Sequence, residues 1–346
     1  MRKIQVFITG SFARLIALIA IASLATPTLS HAQPKKLTAV ATITIIQDIA
    51  QNVAGDKIEV GFLVPTDSDV HQFEPTPADV RKIAQADLVL VNGIGLEQFI
   101  DKLIANAGTK AKVITVSQGL PIQRFLSINV RAAATDTALS TAQPNTAQPD
   151  ILGISGSYQC GTPQPGADIG ECDPHLWQNV TNAIVYTLNI RDAFIAADPA
   201  DADTFNINAG KYIARLQKLD ADLFMGIAQI PAANRVLVTN HDALGYYATR
   251  YGLQLAGVVL PGGTSSQDPS PQQLAALITA IKAKNVKAIF LENVSSDKFA
   301  QQIASGSNVQ VVQALYTDAL GAPGTPGETY IGMMTANLKT LQDALK

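Results

Sequence analysis

The chain has 346 residues, 47% of them hydrophobic, enough to bury the cores of roughly two domains of ordinary size. Its 25 Lys and Arg nearly balance its 28 Asp and Glu, for a net charge of −3, so there is no electrostatic footprint for nucleic acid. No apolar run is long enough for a transmembrane helix.

The chain starts with a basic Met1-Arg2-Lys3, an apolar stretch from Leu15 to Ala25 too short to span a bilayer, and an A-x-A-like site at Ser30-His31-Ala32. These features predict a secretory signal peptide over 1–32, with the mature chain beginning at Gln33. No Cys lies at the cleavage point, so no lipid anchor is expected. Export to a periplasm follows, as a soluble protein.

Leu37 to Ile45 is β-branched and reads as a strand, and Ile46 to Val53 as a short helix closed by Gly55. Ile58 to Val64 is the next strand, followed by a loop and His71. Thr76-Pro77-Ala78-Asp79 is a helix start, with Thr as N-cap, Pro in the first turn and an acid three residues on. Leu88 to Val91 and Val113 to Val116 are further strands, with a helix from Leu96 to Asn106 between them. Apolar strands alternating with helices predict an α/β fold, its parallel sheet covered on both faces.

The alternation fails over 132–170, which is rich in Ala, Thr, Gln, Pro and Gly and repeats Thr-Ala-Gln-Pro at Thr141 and Thr146. An irregular surface insertion is expected there. Cys160 and Cys172 are the only cysteines; in an oxidising compartment such a pair most often forms a disulfide, which is the expectation here, with thiolate ligation of a metal as the alternative. Helical spacing resumes from Asn182 to Ala197. A second helical pattern from Ala200 to Ile230 repeats Tyr212, Leu216, Leu219 and Leu223 and is long enough to connect two domains. The second half then repeats the first. Strands end at Thr239, Val259, Leu291 and Ala314, with helices at 243–251, 271–284 and 297–305 and a final helix at 328–345.

The mature chain retains three histidines, His71, His175 and His241. His71 and His241 follow the carboxyl ends of strands, and Asp318 follows the strand near Ala314. Open parallel sheets place ligands at such ends. His175 lies in Cys172-Asp173-Pro174-His175-Leu176-Trp177, with the one Trp of the chain. Asp69, Glu74, Asp173 and Asp242 neighbour the histidines in sequence and could orient their rings, since a ligating imidazole commonly donates its second N–H to a carboxylate. Three imidazoles and one carboxylate suit tetrahedral Zn²⁺. At a nitrogen-rich site the Irving–Williams order favours zinc over manganese, which remains the alternative. Glu292, at the end of the 287–291 strand, is the substitute ligand should Asp318 lie elsewhere, and otherwise an outer carboxylate behind a ligand or a helix cap. A periplasmic metallohydrolase is the competing class, because three His with an open position is also a catalytic zinc pattern. Against it stand the absence of a His-Glu-x-x-His helix and of an obvious general base.

His71 to Pro77 with Asn92-Gly93-Ile94-Gly95-Leu96-Glu97, Asp173 to Trp177, Asn240 to Tyr246, and Tyr316 to Gly321 with Tyr330 and Met333-Met334 resemble, in order, the four metal-ligand regions of the zinc/manganese-binding solute-binding proteins of ABC importers. The resemblance spans nearly the whole mature chain. It implies two α/β lobes, 33–199 and 231–346, joined by a long helix over 200–230, with His71, His175, His241 and Asp318 holding the ion between them. It also implies a monomer whose partners are an inner-membrane ABC permease with its cytoplasmic ATPase and the ion itself, and it implies no enzymatic activity. Manganese-binding relatives often carry Glu at the third position, so His241 points to zinc. The chain departs from many zinc importers in having no His in the insertion before His175. Some family members have been discussed as adhesins, but nothing in these residues specifies that.

Overall fold

Two four-stranded sheets of the same design organise the computed structural model, which describes residues 36–123, 125, 172–260, 268–294 and 298–346. The first sheet contains β1 (Leu37–Ala41), β2 (Ile58–Phe62), β3 (Leu88–Val91) and β4 (Lys112–Thr115), in the order β2-β1-β3-β4. The second contains β5 (Val236–Thr239), β6 (Gln254–Val258), β7 (Ala288–Glu292) and β8 (Gln310–Leu315), in the order β6-β5-β7-β8. Every pairing is parallel. Each central strand is buried on both faces, and all of β3 and β7 is buried, so their apolar runs read without alternation.

Helices α1 (Thr44–Ala54), α2 (Pro77–Gln85), α3 (Ile100–Ala107), α4 (Val180–Ala197) and α5 (Ala202–Ala228) serve the first half of the chain. Helices α6 (Gly245–Tyr251), α7 (Pro271–Ala283), α8 (Lys298–Ser307) and α9 (Tyr330–Leu345) serve the second. No helix of the described residues is long and apolar enough to cross a membrane. The 27 residues of α5 extend about 40 Å at 1.5 Å per residue. This helix packs on α1 and α4 from the first half and on α6 and α9 from the second. Its buried stripe is Phe205, Ala209, Tyr212, Leu216, Leu219, Leu223 and Ile227, the spacing that sequence periodicity anticipates.

The outer face of each sheet has a core of its own. Val40, Leu63, Ile83, Val89 and Leu103 pack under α2 and α3. Val238, Leu277, Ile281, Ile289 and Ile303 pack under α7 and α8. The inner faces do not form separate cores. One continuous apolar cluster runs from Ile46, Leu90 and Trp177 through Leu216 and Leu223 to Tyr247, Phe290 and Met333. The two lobes are therefore welded through a shared interior.

Two boundaries differ from the sequence reading by more than fraying. The first strand stops at Ala41 rather than Ile45, and α1 begins at Thr44. Tertiary hydrogen bonds outweigh β propensity there: the Thr42 hydroxyl donates to Glu97 at 2.6 Å, and the Thr44 hydroxyl accepts the Leu320 N–H at 2.9 Å. The third helix begins at Ile100 rather than Leu96, because the Glu97 carboxylate turns back to accept the backbone N–H groups of Asn92 and Gly93 at 2.7 and 3.0 Å. The signal segment, the Thr-Ala-Gln-Pro insertion and Cys160 lie outside the described residues, and with them the expected disulfide to Cys172.

Candidate metal centre

In each sheet the strand order reverses, between β1 and β3 in the first and between β5 and β7 in the second, which is the switch point where open parallel α/β sheets bind ligands. In the second lobe the residues at that point are His241, two beyond β5, and Glu292, at the end of β7. His71 follows β2 on a single 3₁₀ turn, Val70–Gln72, whose start is capped by Asp69 accepting the His71 N–H at 2.8 Å. His175 sits just before a second such turn, Leu176–Gln178, that leads into α4. Asp318 follows β8.

The loops are tied across the cleft. The Thr317 carbonyl accepts both the Trp177 indole N–H at 2.8 Å and the Gln178 amide at 3.0 Å, so the residue before Asp318 is held by the segment after His175. The Tyr330 hydroxyl donates to the Trp177 carbonyl at 2.6 Å. Asn92 donates to the Pro174 carbonyl at 2.9 Å, fixing the approach to His175 from the other side. Asp67 N–H donates to the Leu320 carbonyl at 3.2 Å, and the Asn293 amide donates to Asp67 at 2.8 Å, which joins the His71 loop to the second lobe.

Within this frame His71, His175, His241 and Asp318 meet, with one candidate ligand atom from each lying within 4.8 Å of all the others. His71 Nε2 is 3.3 Å from His175 Nε2 and 3.5 Å from Asp318 Oδ2. His241 Nε2 is 3.1 Å from Asp318 Oδ2, and His175 Nε2 is 3.6 Å from Asp318 Oδ1. Ligands about 2.0–2.1 Å from a tetrahedral zinc stand about 3.3–3.4 Å apart, so these spacings need little adjustment. The four side chains are at most 2% exposed. Both Asp318 oxygens and both ring nitrogens of His241 are buried, and beyond their close ion-pair contacts none of the four makes a well-aligned hydrogen bond among the described residues. Buried polar atoms are rarely left so, and a shared cation would satisfy the Asp318 oxygens and His241 Nε2.

Comparison with known proteins places this architecture. The family model described as the zinc-uptake complex component A, periplasmic, matches residues 39–344. The chain belongs to that family. Its relatives include the iron-binding protein YfeA of Yersinia pestis, 33% identical over 95% of this chain and 94% of that one. The manganese ABC transporter substrate-binding lipoprotein PsaA of Streptococcus pneumoniae is 30% identical over 92% of each. Among solved structures, the periplasmic zinc-binding protein TroA of Treponema pallidum superimposes with a TM-score of 0.72 at 26% identity, covering 90% of this chain and 99% of that one. A Mn-bound periplasmic metal-binding protein from Candidatus Liberibacter asiaticus gives 0.70 at 29% identity, over 90% and 100%. This zinc-uptake family member thus has relatives named for iron, manganese and zinc, all of them binding proteins or transporter components.

The electrostatics of the site are strongly coupled. Burial alone would raise the Asp318 carboxyl, but the imidazoles of His241 and His175 outweigh it and hold the group well below the usual carboxylate range. Burial likewise opposes a charge on His241, yet the carboxylates of Glu292 and Asp318 prevail and hold its imidazole well above the ordinary value.

Of the neighbouring acids that the sequence suggested, Asp173 does back its histidine, contacting His175 Nδ1 at 2.8 Å and accepting its N–H at 3.0 Å. Asp69 holds the backbone of His71 and not its ring, and Glu74 is exposed. The ring of His241 is backed by Glu292, fifty-one residues on, and not by adjacent Asp242. Glu292 stands behind His241, while Asp318 faces the three imidazoles. The sequence singled out Glu292 as a carboxylate of the site but could not pair it with His241, because only the β5-β7 adjacency of the sheet creates that pairing. The His71 ring has no carboxylate behind it: its Nδ1 is buried without a hydrogen-bond partner among the described residues.

Proposed function

We propose that this protein captures Zn²⁺ outside the cytoplasm, in the periplasm, and delivers it to an inner-membrane ABC permease with its cytoplasmic ATPase. His71, His175, His241 and Asp318 are the ligands, and the protein works as a monomer after loss of residues 1–32. The observation that carries this reading is the convergence of three imidazoles and one buried carboxylate, one candidate ligand atom from each within 4.8 Å of all the others and four of their contacts at 3.1–3.6 Å. The lobes 33–199 and 231–346, with the 200–230 helix between them, each contribute two ligands. Asp318 fills the position that a catalytic zinc site keeps open for water, which favours a binding protein over a hydrolase. Relatives named for manganese and iron define the rival cargo. Both Asp318 oxygens face the histidines, so a bidentate Asp318 would add the extra oxygen that manganese prefers.

Metal analysis of protein purified without added metal, followed by zinc–manganese competition, tests the cargo. Zinc should win by orders of magnitude. Growth of a deletion strain under chelation tests the role: rescue by manganese and not by zinc would replace zinc as the cargo. His241→Ala should abolish high-affinity binding while the fold survives.

A further inference from the structure

Glu292 touches two ligand-bearing loops at once. Its Oε1 accepts the His241 backbone N–H at 2.9 Å, and its Oε2 lies against His241 Nδ1. The same Oε2 accepts the Thr317 hydroxyl at 2.9 Å, one residue before Asp318. The side chain is fully buried, and the β7-β8 register shifts just before Glu292 pairs with Leu315. Among the described residues, every polar contact of these two oxygens is thus with a ligand or with a ligand's neighbour.

We infer that Glu292 is the positioning residue of the metal site, fixing His241 with its proton on Nδ1 and Nε2 free for the ion, and tying that choice to the Asp318 loop. The inference rests on the zinc-binding reading above. Its physical content is the donor and acceptor inventory. A carboxylate offers acceptors only, so at Oε2 it accepts from Nδ1–H and leaves Nε2, the atom 3.1 Å from Asp318, to bind the ion. A metal-ligating His is commonly oriented in this way by its second nitrogen.

Glutamine at 292 would have the same shape and the wrong chemistry in either orientation. With its NH₂ at the Oε2 position, it donates to Nδ1 and forces the proton onto Nε2, where the ion must bind. With its NH₂ at the Oε1 position, it opposes the His241 backbone N–H, donor against donor. Glu292→Gln should therefore weaken Zn²⁺ binding about 10–100-fold, the usual effect of losing such an outer partner. Binding of Co²⁺ should show altered visible d–d bands, because His241 no longer coordinates in the same way.

The mature protein is titrated with Zn²⁺ against a competing chelator, and its Co²⁺ form is scanned in the visible. Zinc affinity within twofold of wild type together with unchanged Co²⁺ bands would overturn the inference. If Glu292→Gln does not fold, ¹⁵N-histidine NMR of zinc-loaded wild type decides instead. Coordination of His241 through Nε2 with a proton on Nδ1 supports the inference, and coordination through Nδ1 overturns it. Wild type that fails to bind zinc sinks the metal reading itself, and this inference with it.

Discussion

Two buried tyrosines make the same substitution carry opposite signs. Tyr330 is 0% exposed, and its hydroxyl donates to the Trp177 carbonyl, for which no other donor is found among the described residues. Tyr330→Phe leaves that carbonyl dry and unpaired, at a cost of about 1–3 kcal/mol. Tyr247 is 1% exposed, and its hydroxyl has no hydrogen-bond partner among the described residues. Its burial pushes the phenol pKa upward with no opposing contact, which is what desolvation without a partner produces. Tyr247→Phe removes a desolvated hydroxyl and breaks nothing, so stability should hold or rise by up to about 1 kcal/mol. At about 1.5 °C per kcal/mol for a chain of this size, the melting temperatures of the two variants should part by about 2–6 °C. The assay is thermal and urea unfolding of the mature protein in chelator, with the urea slope unchanged in both variants. Tyr330→Phe should also weaken zinc binding, because the Trp177 segment carries His175, while Tyr247→Phe should not. Equal losses from the two substitutions, or a loss confined to Tyr247→Phe, would refute the reasoning.

Two further outcomes concern the site. Because the His241 pKa is raised in the metal-free fold, zinc must displace a proton from it, so affinity should begin to fall as pH is lowered from above about 6.5, the ordinary histidine value. The stability that protonated His241 gives the metal-free protein is fully present below about 6.5 and is lost as pH rises through its folded pKa. The depressed Asp318 contributes above about 3.9 and loses that contribution as pH falls through its own folded value. Calorimetric titrations in buffers of different ionisation enthalpy should find proton release on zinc binding at neutral pH, and no release would count against a charged His241. Separately, a Cβ at Gly245 would come within 2.5 Å of the Asp173 carboxylate and 2.8 Å of the Gln123 amide. Gly245→Ala should therefore push Asp173 off His175 and weaken zinc binding about tenfold, with little change in the circular dichroism spectrum. Unaltered affinity would show that Asp173 does not set the His175 ring.

Particular residues show how far the sequence reached. The helix start at Thr76 was legible because its chemistry is local: the Asp79 carboxylate accepts the Thr76 N–H and hydroxyl at 2.9 and 2.7 Å, across three residues. The buried stripe of α5 was legible because helical spacing repeats within a few residues. The end of β1 was not, since Thr42 and Thr44 are claimed by Glu97 and Leu320, which lie 55 and 276 residues away.

The sequence alone determined the alternation of strands and helices, and with it a parallel sheet, and it put His71, His241 and Asp318 in segments that follow strands. Those are properties of short windows, where periodicity and turn chemistry decide the backbone. Only the tertiary structure decided which carboxylate stands behind which imidazole. Asp242 is next to His241 in the chain, but neighbours along a backbone need not face one another. Glu292 comes beside His241 because β5 and β7 pair in the sheet, and Thr317 comes beside Glu292 because β7 pairs with β8. The site's chemistry is thus written in residue types, and its orientation in strand order, which long-range burial of the shared core selects.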